Sequence, residues 1–227
     1  MQSEKCLLVS ISKGIATVAK IVTFANVKGG SGKSTLCINI AAMLVKLKKS
    51  VCVIDADPQQ STLDWIKNTK DPVLSLVNCN EVADFDKISQ LGYDFVLIDT
   101  QGSLNKELAS FLKISSLVLV PCRISRDDIV GQGWVHMFLK KSQDAGQSTP
   151  ILAVLNGVNK RSHILSHIKQ QLNEDGTNVA KTTVSQRVCF SETNVNKMSV
   201  ISYNKVAEDE ISELTSEILD FLSVRGQ

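Results

Sequence analysis

The residue types best suited to chemistry are gathered in one stretch, Asn26-Val27-Lys28-Gly29-Gly30-Ser31-Gly32-Lys33-Ser34-Thr35. Three glycines let a backbone turn tightly and aim successive N–H groups at one anion. Gly29, Gly30, Ser31, Gly32, Lys33, Ser34 and Thr35 therefore form a candidate phosphate-holding loop. Lys33 can reach the outer phosphates of a nucleoside triphosphate, and the Ser34 hydroxyl can ligate Mg²⁺. The common spacing wants glycine where Val27 stands, so the pattern here is the variant Lys-Gly-Gly-x-Gly-Lys-[Ser/Thr]. Carboxylates follow at two places: Asp55 and Asp57 after one apolar run, and Asp99 after another. A carboxylate delivered to a strand tip beside a phosphate loop can hold the water shell of Mg²⁺. That places positive charge against the terminal phosphate, where charge shifts during its transfer.

These groups need rigid elements to hold them. Residues 21–25 are β-branched and aromatic and read as a short buried strand. Residues 36–47 read as a helix, with Leu36, Ile40, Met43, Leu44 and Leu47 at helical spacing. The helix start adds its positive dipole end to the loop. Residues 51–55 form an apolar run ending in acid, the pattern of a strand buried on both faces of a parallel sheet. Pro58 stops that strand, and Ser61 is placed to cap a helix carrying Leu63, Trp65 and Ile66. Further strands are predicted at 73–77, 95–98, 117–121, 151–155 and 179–184. Helices are predicted at 82–91, 129–141, 162–172 and 206–224. Strands separated by helical stretches, without hairpin signals, predict an α/β P-loop NTPase fold. In it a twisted, mostly parallel sheet is flanked by helices on both faces. Ligands of such sheets bind at the carboxyl ends of the strands, which is where Asp55, Asp57, Asp99 and Asn156 fall.

Bulk composition narrows the field. The chain has 227 residues and 43% hydrophobic content, enough for one sizeable core. Residues 20–227 are expected to form a single domain, and residues 1–19 an N-terminal extension that could be a strand or an arm. A net charge of +2 gives no global basic field, so any contact with nucleic acid must come from a local patch. The six cysteines form no Cys-x-x-Cys pair and fall in or beside apolar runs, as reduced thiols of a cytoplasmic protein would. His163 and His167 share a helix face, but no third ligand is in view and an exposed face is the expectation. No apolar run approaches the roughly 18 residues of a membrane span.

The loop variant resembles the deviant Walker A box of the ParA/MinD superfamily, with Lys28 at its signature lysine. The run Asp55-Ala56-Asp57-Pro58-Gln59 resembles the ParA switch I segment. The resemblance implies that Lys28 reaches across a dimer interface to the partner's nucleotide. It implies that Asp57 orients the attacking water, and that Asp55 supports Mg²⁺ through water alongside Ser34 and Asp99. ParA proteins often carry Asp-x-Pro-Pro where this chain has Asp99-Thr100-Gln101-Gly102, and Gly102 could still approach the γ-phosphate through its N–H. Residues 117–131 look like the segment after Walker B in ParF-type partition ATPases. Only Pro121 remains of its several prolines, and Arg123 and Arg126 could bridge subunits, meet phosphate or stay solvated. In the superfamily an Asn after the strand at 151–155 often contacts adenine. Asn156 is the better candidate and Asn159 the lesser, with a turn-forming role the plain alternative. The stretch around Arg187 resembles the family's late loop near the base or the partner.

What the resemblance implies about function is an ATP-driven molecular switch for plasmid or chromosome partition. Its features are ATP and Mg²⁺, a homodimer closed by ATP, slow hydrolysis and a stimulating centromere-binding partner. A nucleoid-associated state in the cytoplasm would follow from nonspecific DNA binding. Candidate DNA contacts are Lys160, Arg161, Lys169, Lys181, Lys197 and Lys205, although scattered surface lysines are the usual case. A MinD-like positioning ATPase and a conjugation- or secretion-linked assembly ATPase are the competing readings. The closing helix carries Glu208, Asp209, Glu210, Glu213, Glu217 and Asp220, and an acidic helix is repelled by anionic lipid, so no membrane contact is expected.

Overall fold

The computed structural model describes residues 18–81, 88, 91–124, 133, 135, 137, 149–162, 164–174 and 176–224. Among the described residues eight strands form the sheet: β1 Lys20–Phe24, β2 Val51–Ala56, β3 Asn78–Glu81, β4 Phe95–Thr100, β5 Leu117–Cys122, β6 Ile151–Val158, β7 Asn178–Val179 and β8 Val184–Ser185. Their order is β3-β2-β4-β1-β5-β6-β7, with β8 paired to the end of β6. Each of these pairings is parallel. The helices among the described residues are α1 Lys33–Lys46, α2 Ser61–Lys67, α3 Lys106–Ile114, α4 Ile164–Glu174, α5 Val188–Val195 and α6 Lys205–Val224.

Side chains alternate across β1 and decide which layer each face meets. Val22 and Phe24 enter a core shared with Leu36, Ile40 and Leu44 of α1 and Ile211, Leu214 and Ile218 of α6. Ile21 points to the other face with Phe111 of α3, while Ala25 joins a cluster containing Leu108, Leu112 and Leu172. The central strands β2, β4 and β5 are buried throughout, as apolar runs in a doubly covered parallel sheet must be. The expected α/β fold with helices on both faces is the fold observed.

The topology also creates the site. From β1 the chain crosses to β2 on one side, and from β4 it crosses to β5 on the other. Strands whose connections diverge open a crevice at their carboxyl ends. The loops after β1 and β4 face each other across it.

Several local expectations needed correction. The helix expected at 36–47 begins earlier, at Lys33, because the glycine loop delivers Gly32 directly as its N-cap. Residues 73–77 are not a strand: Leu74–Leu76 make one 3₁₀ turn, and β3 starts only at Asn78. The reason is Asp71, whose Oδ1 accepts from the N–H groups of Val73 at 2.8 Å and Leu74 at 3.2 Å and so curls the chain. The strand expected at 179–184 is two short ones, β7 and β8, both seated on β6. Helix α5 has no counterpart in the sequence reading. Ser61 does not cap α2. It is the first helical residue, after Gln60 in the left-handed region at φ 50°. Arg126 lies outside the described residues, as does most of the predicted helices 129–141 and 82–91; residues 133, 135 and 137 of the former are helical.

The acids of α6 divide between solvent and interior: Asp209, Glu213 and Asp220 are exposed and Glu217 is half-buried. Glu208 and Glu210 are buried. Glu208 accepts from Lys46 Nζ and, at 2.9 Å, from Ser202 N–H. Glu217 accepts from the N–H groups of Lys181 and Thr182. Glu208 and Glu217 thus fasten loops to α6, and Asp209 pairs with Lys205 one turn away. No helix among the described residues is long and apolar enough to cross a membrane.

Candidate functional site

The loop between β1 and α1 is held before any ligand arrives. Asn26 is buried, and its Oδ1 accepts from Lys28 N–H at 3.0 Å while its Nδ2 donates to the Pro121 carbonyl at 2.7 Å. One side chain thereby ties the start of the loop to the end of β5. Gly30 and Gly32 adopt φ 76° and 97°, the left-handed region that glycine enters without strain. Asn156 Nδ2 donates to the Ser31 carbonyl at 2.8 Å. A Cβ on Gly32 would lie 2.1 Å from that same nitrogen, so glycine is needed there for space as well as for φ. Asn156 braces the loop from β6, a role the sequence did not suggest.

Lys33 is 7% exposed, and its Nζ donates to the Lys28 carbonyl at 3.3 Å. Burial lowers its pKa, opposed by the charges of Asp99 and Asp57. Lys33, Asp57 and Asp99 therefore share one electrostatic environment. Gly102, after β4, packs backbone to backbone on this loop. A Cβ there would stand 3.2 Å from Gly29 N and 3.3 Å from the Lys28 carbonyl carbon.

Asp99 is 1% exposed and its pKa is raised to about 6, because burial outweighs hydrogen bonds from Thr62 and Ser34. Thr62 Oγ1 donates to its Oδ2 at 2.7 Å, while Oδ1 has no hydrogen-bond partner among the described residues. Ser31 Oγ is likewise buried and without a partner among them. A buried carboxylate oxygen left over beside Ser34 and Lys33 suits a hydrated divalent cation, so Ser34 and Asp99 fit the group expected of them.

Asp55 is fixed by backbone donors. Its Oδ1 accepts from Asp57 N–H at 3.0 Å and its Oδ2 from Leu63 N–H at 2.8 Å. It therefore caps α2, the task expected of Ser61, and shapes the turn that presents Asp57. Burial raises its pKa, partly offset by bonds from Leu63, Asp57 and Thr62. Asp57 is half-buried on the cleft wall, its Oδ1 accepting from Gln59 N–H at 2.9 Å.

A cleft of about 1470 Å³ joins these groups to a second wall. That wall is formed by the loop after β6, with Asn159, and by the stretch Ser185–Val188 after β8. Asn159 makes a turn, its Oδ1 accepting from Arg161 N–H. Arg187 lines the cleft but is tied back to Glu210 by an ion pair of 3.1 Å. Arg123 lies on the cleft beside Gly157.

The basic candidates are mostly engaged. Lys160 pairs with buried Glu210 at 2.9 Å, while its own side chain stays 46% exposed. Lys197 pairs with Asp64 at 2.6 Å and Lys205 with Asp209 at 2.8 Å. Lys169 Nζ donates to the Lys181 carbonyl at 2.6 Å. Arg161 and Lys181 are exposed. Asn26, Thr62 and Glu210 were missed by the sequence reading, since each acts through partners distant in the chain.

Comparison with known proteins gives the chain's family and fold. Residues 22–200 match the family model of the CobQ/CobB/MinD/ParA nucleotide binding domain. Over 205 residues the chain is 27% identical to the maintenance of carboxysome distribution protein A of Halothiobacillus neapolitanus, covering 86% of this chain and 94% of that one. A plasmid partition protein from Borrelia burgdorferi bound to AMPPNP superposes with a TM-score of 0.69 at 21% identity, over 89% of this chain and 99% of that one. An McdA–ATP complex from Cyanothece superposes with a TM-score of 0.74 at 12% identity, over 89% and 97%. At these identities the structural likeness speaks for the fold alone.

Proposed function

The chain belongs to the CobQ/CobB/MinD/ParA nucleotide-binding family, whose ParA and MinD members are ATPases, and from that premise we propose that it is an ATP-dependent positioning switch that distributes DNA cargo. The observation that carries the reading is the convergence of Lys33, Asp57 and Asp99 with the Lys28-Gly29 backbone packed under Gly102.

Each residue has a task in this reading. The N–H groups from Gly29 to Thr35 and the ammonium of Lys33 hold the β- and γ-phosphates. Ser34 and Asp99 would hold Mg²⁺, which when bound neutralises phosphate charge. Asp57 orients the water, and Asp55 holds the turn that aims Asp57. Lys28 stands at the loop's outer edge, where a second copy facing the cleft would meet it. Gly102 touches the peptide that carries Lys28. A shift of the segment after β4 on hydrolysis would therefore be felt at the dimer face. ATP closes the dimer, the dimer holds DNA nonspecifically through exposed cations such as Arg161 and Lys181, and a partner protein stimulates release.

A protein body as cargo is the second reading, favoured by the likeness to a carboxysome distribution protein over most of both chains. Both readings use the same switch. The test is sedimentation of the protein with nonspecific duplex DNA and, separately, with anionic liposomes, each with ATP, ADP or no nucleotide. Salt-sensitive DNA binding in ATP alone is expected. Binding to liposomes, or an ATP dimer that binds neither surface, would overturn the DNA-cargo reading.

A further inference from the structure

Glu210 on α6 joins three things that the sequence keeps far apart. Its Oε1 accepts from Lys160 Nζ at 2.9 Å, from Ser185 Oγ at 2.7 Å and from Arg187 Nη2 at 3.1 Å. Its Oε2 accepts from Ser185 N–H at 2.9 Å. Lys160 belongs to the loop after β6, while Ser185 ends β8 and Arg187 follows it. Those two stretches form the cleft wall opposite the glycine loop. One carboxylate, itself 4% exposed, thus sets the relative position of both halves of that wall.

The sheet order says which part of a nucleotide meets the wall. From β1 the sheet runs through β5 and β6 to β8 on one side, and through β4 to β2 on the other. At about 4.8 Å per strand, β8 lies roughly 14 Å from the phosphate-holding loop. Asp57 follows β2 and Asp99 ends β4, so the terminal phosphate faces away from β8. The nucleoside end then lies toward β6 and β8.

We propose that Glu210 is a positioning residue for the nucleoside end of the bound nucleotide, holding the base-side wall in its binding-competent form without touching the phosphates. This rests on the reading of Gly29–Thr35 as the phosphate site. The ligand class is a nucleoside triphosphate, and the part of it that Glu210 governs is the nucleoside. Burial opposes the carboxylate's charge, but hydrogen bonds from Lys160, Ser185 and Arg187 outweigh it and hold the pKa at about 2. The brace therefore stays ionised at neutral pH.

The experiment separates the two ends of the ligand. Titration calorimetry of the full chain with Mg²⁺ compares ATP with inorganic tripolyphosphate, which lacks the nucleoside. For Glu210→Ala, ATP affinity should fall about tenfold, with tripolyphosphate affinity within about twofold of wild type. KM for ATP should rise with kcat unchanged. Glu210→Gln still accepts from Ser185 N–H but releases the two cations, and it should fall between. Lys160→Met frees only the loop after β6 and keeps Glu210 paired with Arg187. It should show the same split at about threefold, and it decides the matter if both Glu210 variants unfold. Equal losses for both ligands, or no loss for either, would overturn the proposal while leaving the phosphate site standing. A wild-type protein that binds neither ligand would sink the phosphate-site reading and this inference together.

Discussion

The hydroxyl of Thr62 donates to Asp99 Oδ2 across 2.7 Å, joining the first turn of α2 to the tip of β4. Through this bond the segment carrying Asp57 and the carboxylate proposed to serve Mg²⁺ are mechanically connected. Thr62→Val removes the donor and leaves a buried carboxylate less satisfied, at a cost of about 1–3 kcal/mol. Denaturant unfolding should register that loss, and ATP turnover should require more Mg²⁺. An unchanged Mg²⁺ requirement would show that the bond is structural only.

Lys28, Lys33 and Asp57 should fail in three different ways. Lys33→Ala should abolish ATP binding, since its ammonium is the buried cation of the loop. Lys28→Ala should bind ATP yet remain monomeric by light scattering. Asp57→Ala should dimerise but turn over about 10²-fold or more slowly, the range for loss of a proton-handling group. A Lys28→Ala protein that dimerises normally would remove its cross-subunit role.

Gly32→Ala places a methyl group 2.1 Å from Asn156 Nδ2, at a φ of 97°. ATP affinity should drop by tenfold or more. Adding Asn156→Ala relieves the clash but leaves the strain of a left-handed non-glycine, about 1 kcal/mol. The double variant should therefore bind better than Gly32→Ala alone, a non-additivity measurable by calorimetry. Strict additivity would mean that Asn156 does not limit this loop.

The two buried carboxylates should answer pH in opposite directions. Asp99 is raised to about 6, so the folded protein holds its proton more tightly than the unfolded chain, whose carboxylate titrates near 4. Its burdening charge is fully present above pH 6, and stability relative to Asp99→Asn should rise as pH falls from about 6 to about 4. Mg²⁺-dependent ATP binding should weaken over the same interval, because the proton competes with the cation. A flat profile through this window would contradict the burial argument.

Glu210 is lowered to about 2, so its contribution is present above the ordinary glutamate value near 4.3 and is lost as pH falls toward 2. The stability gap between wild type and Glu210→Gln should be roughly 3 kcal/mol at neutral pH and close across that acid window. Acid unfolding curves of the two proteins check this, and parallel curves would contradict it.

Much of the site was legible because phosphate chemistry imposes local rules. A loop that wraps an anion needs glycines, a lysine and a hydroxyl within a few residues. A carboxylate at a strand tip needs an apolar run before it. Gly29 to Thr35, Asp57 and Asp99 obey such rules, and so do the alternating strands and helices that predict a parallel sheet. Asp71 shows where local reading stops, since an Asx turn made a 3₁₀ helix of a run whose residues prefer strands.

The sequence by itself determined the chemistry of the loop, the class of fold and the end of the sheet where ligands meet it, because these depend on residues close along the chain. Only the tertiary structure decided that Asp55 caps α2, that Asn156 braces Ser31, that Thr62 reaches Asp99 and that Glu208 and Glu210 of α6 turn inward. Glu210 is 50 residues from Lys160 along the chain, and their ion pair has no local signature. Burial made that carboxylate need partners, and the packing of α6 against β8, beside the loop after β6, supplied them. The physical reason is that hydrogen-bond and charge satisfaction in a buried interior is a property of neighbours in space.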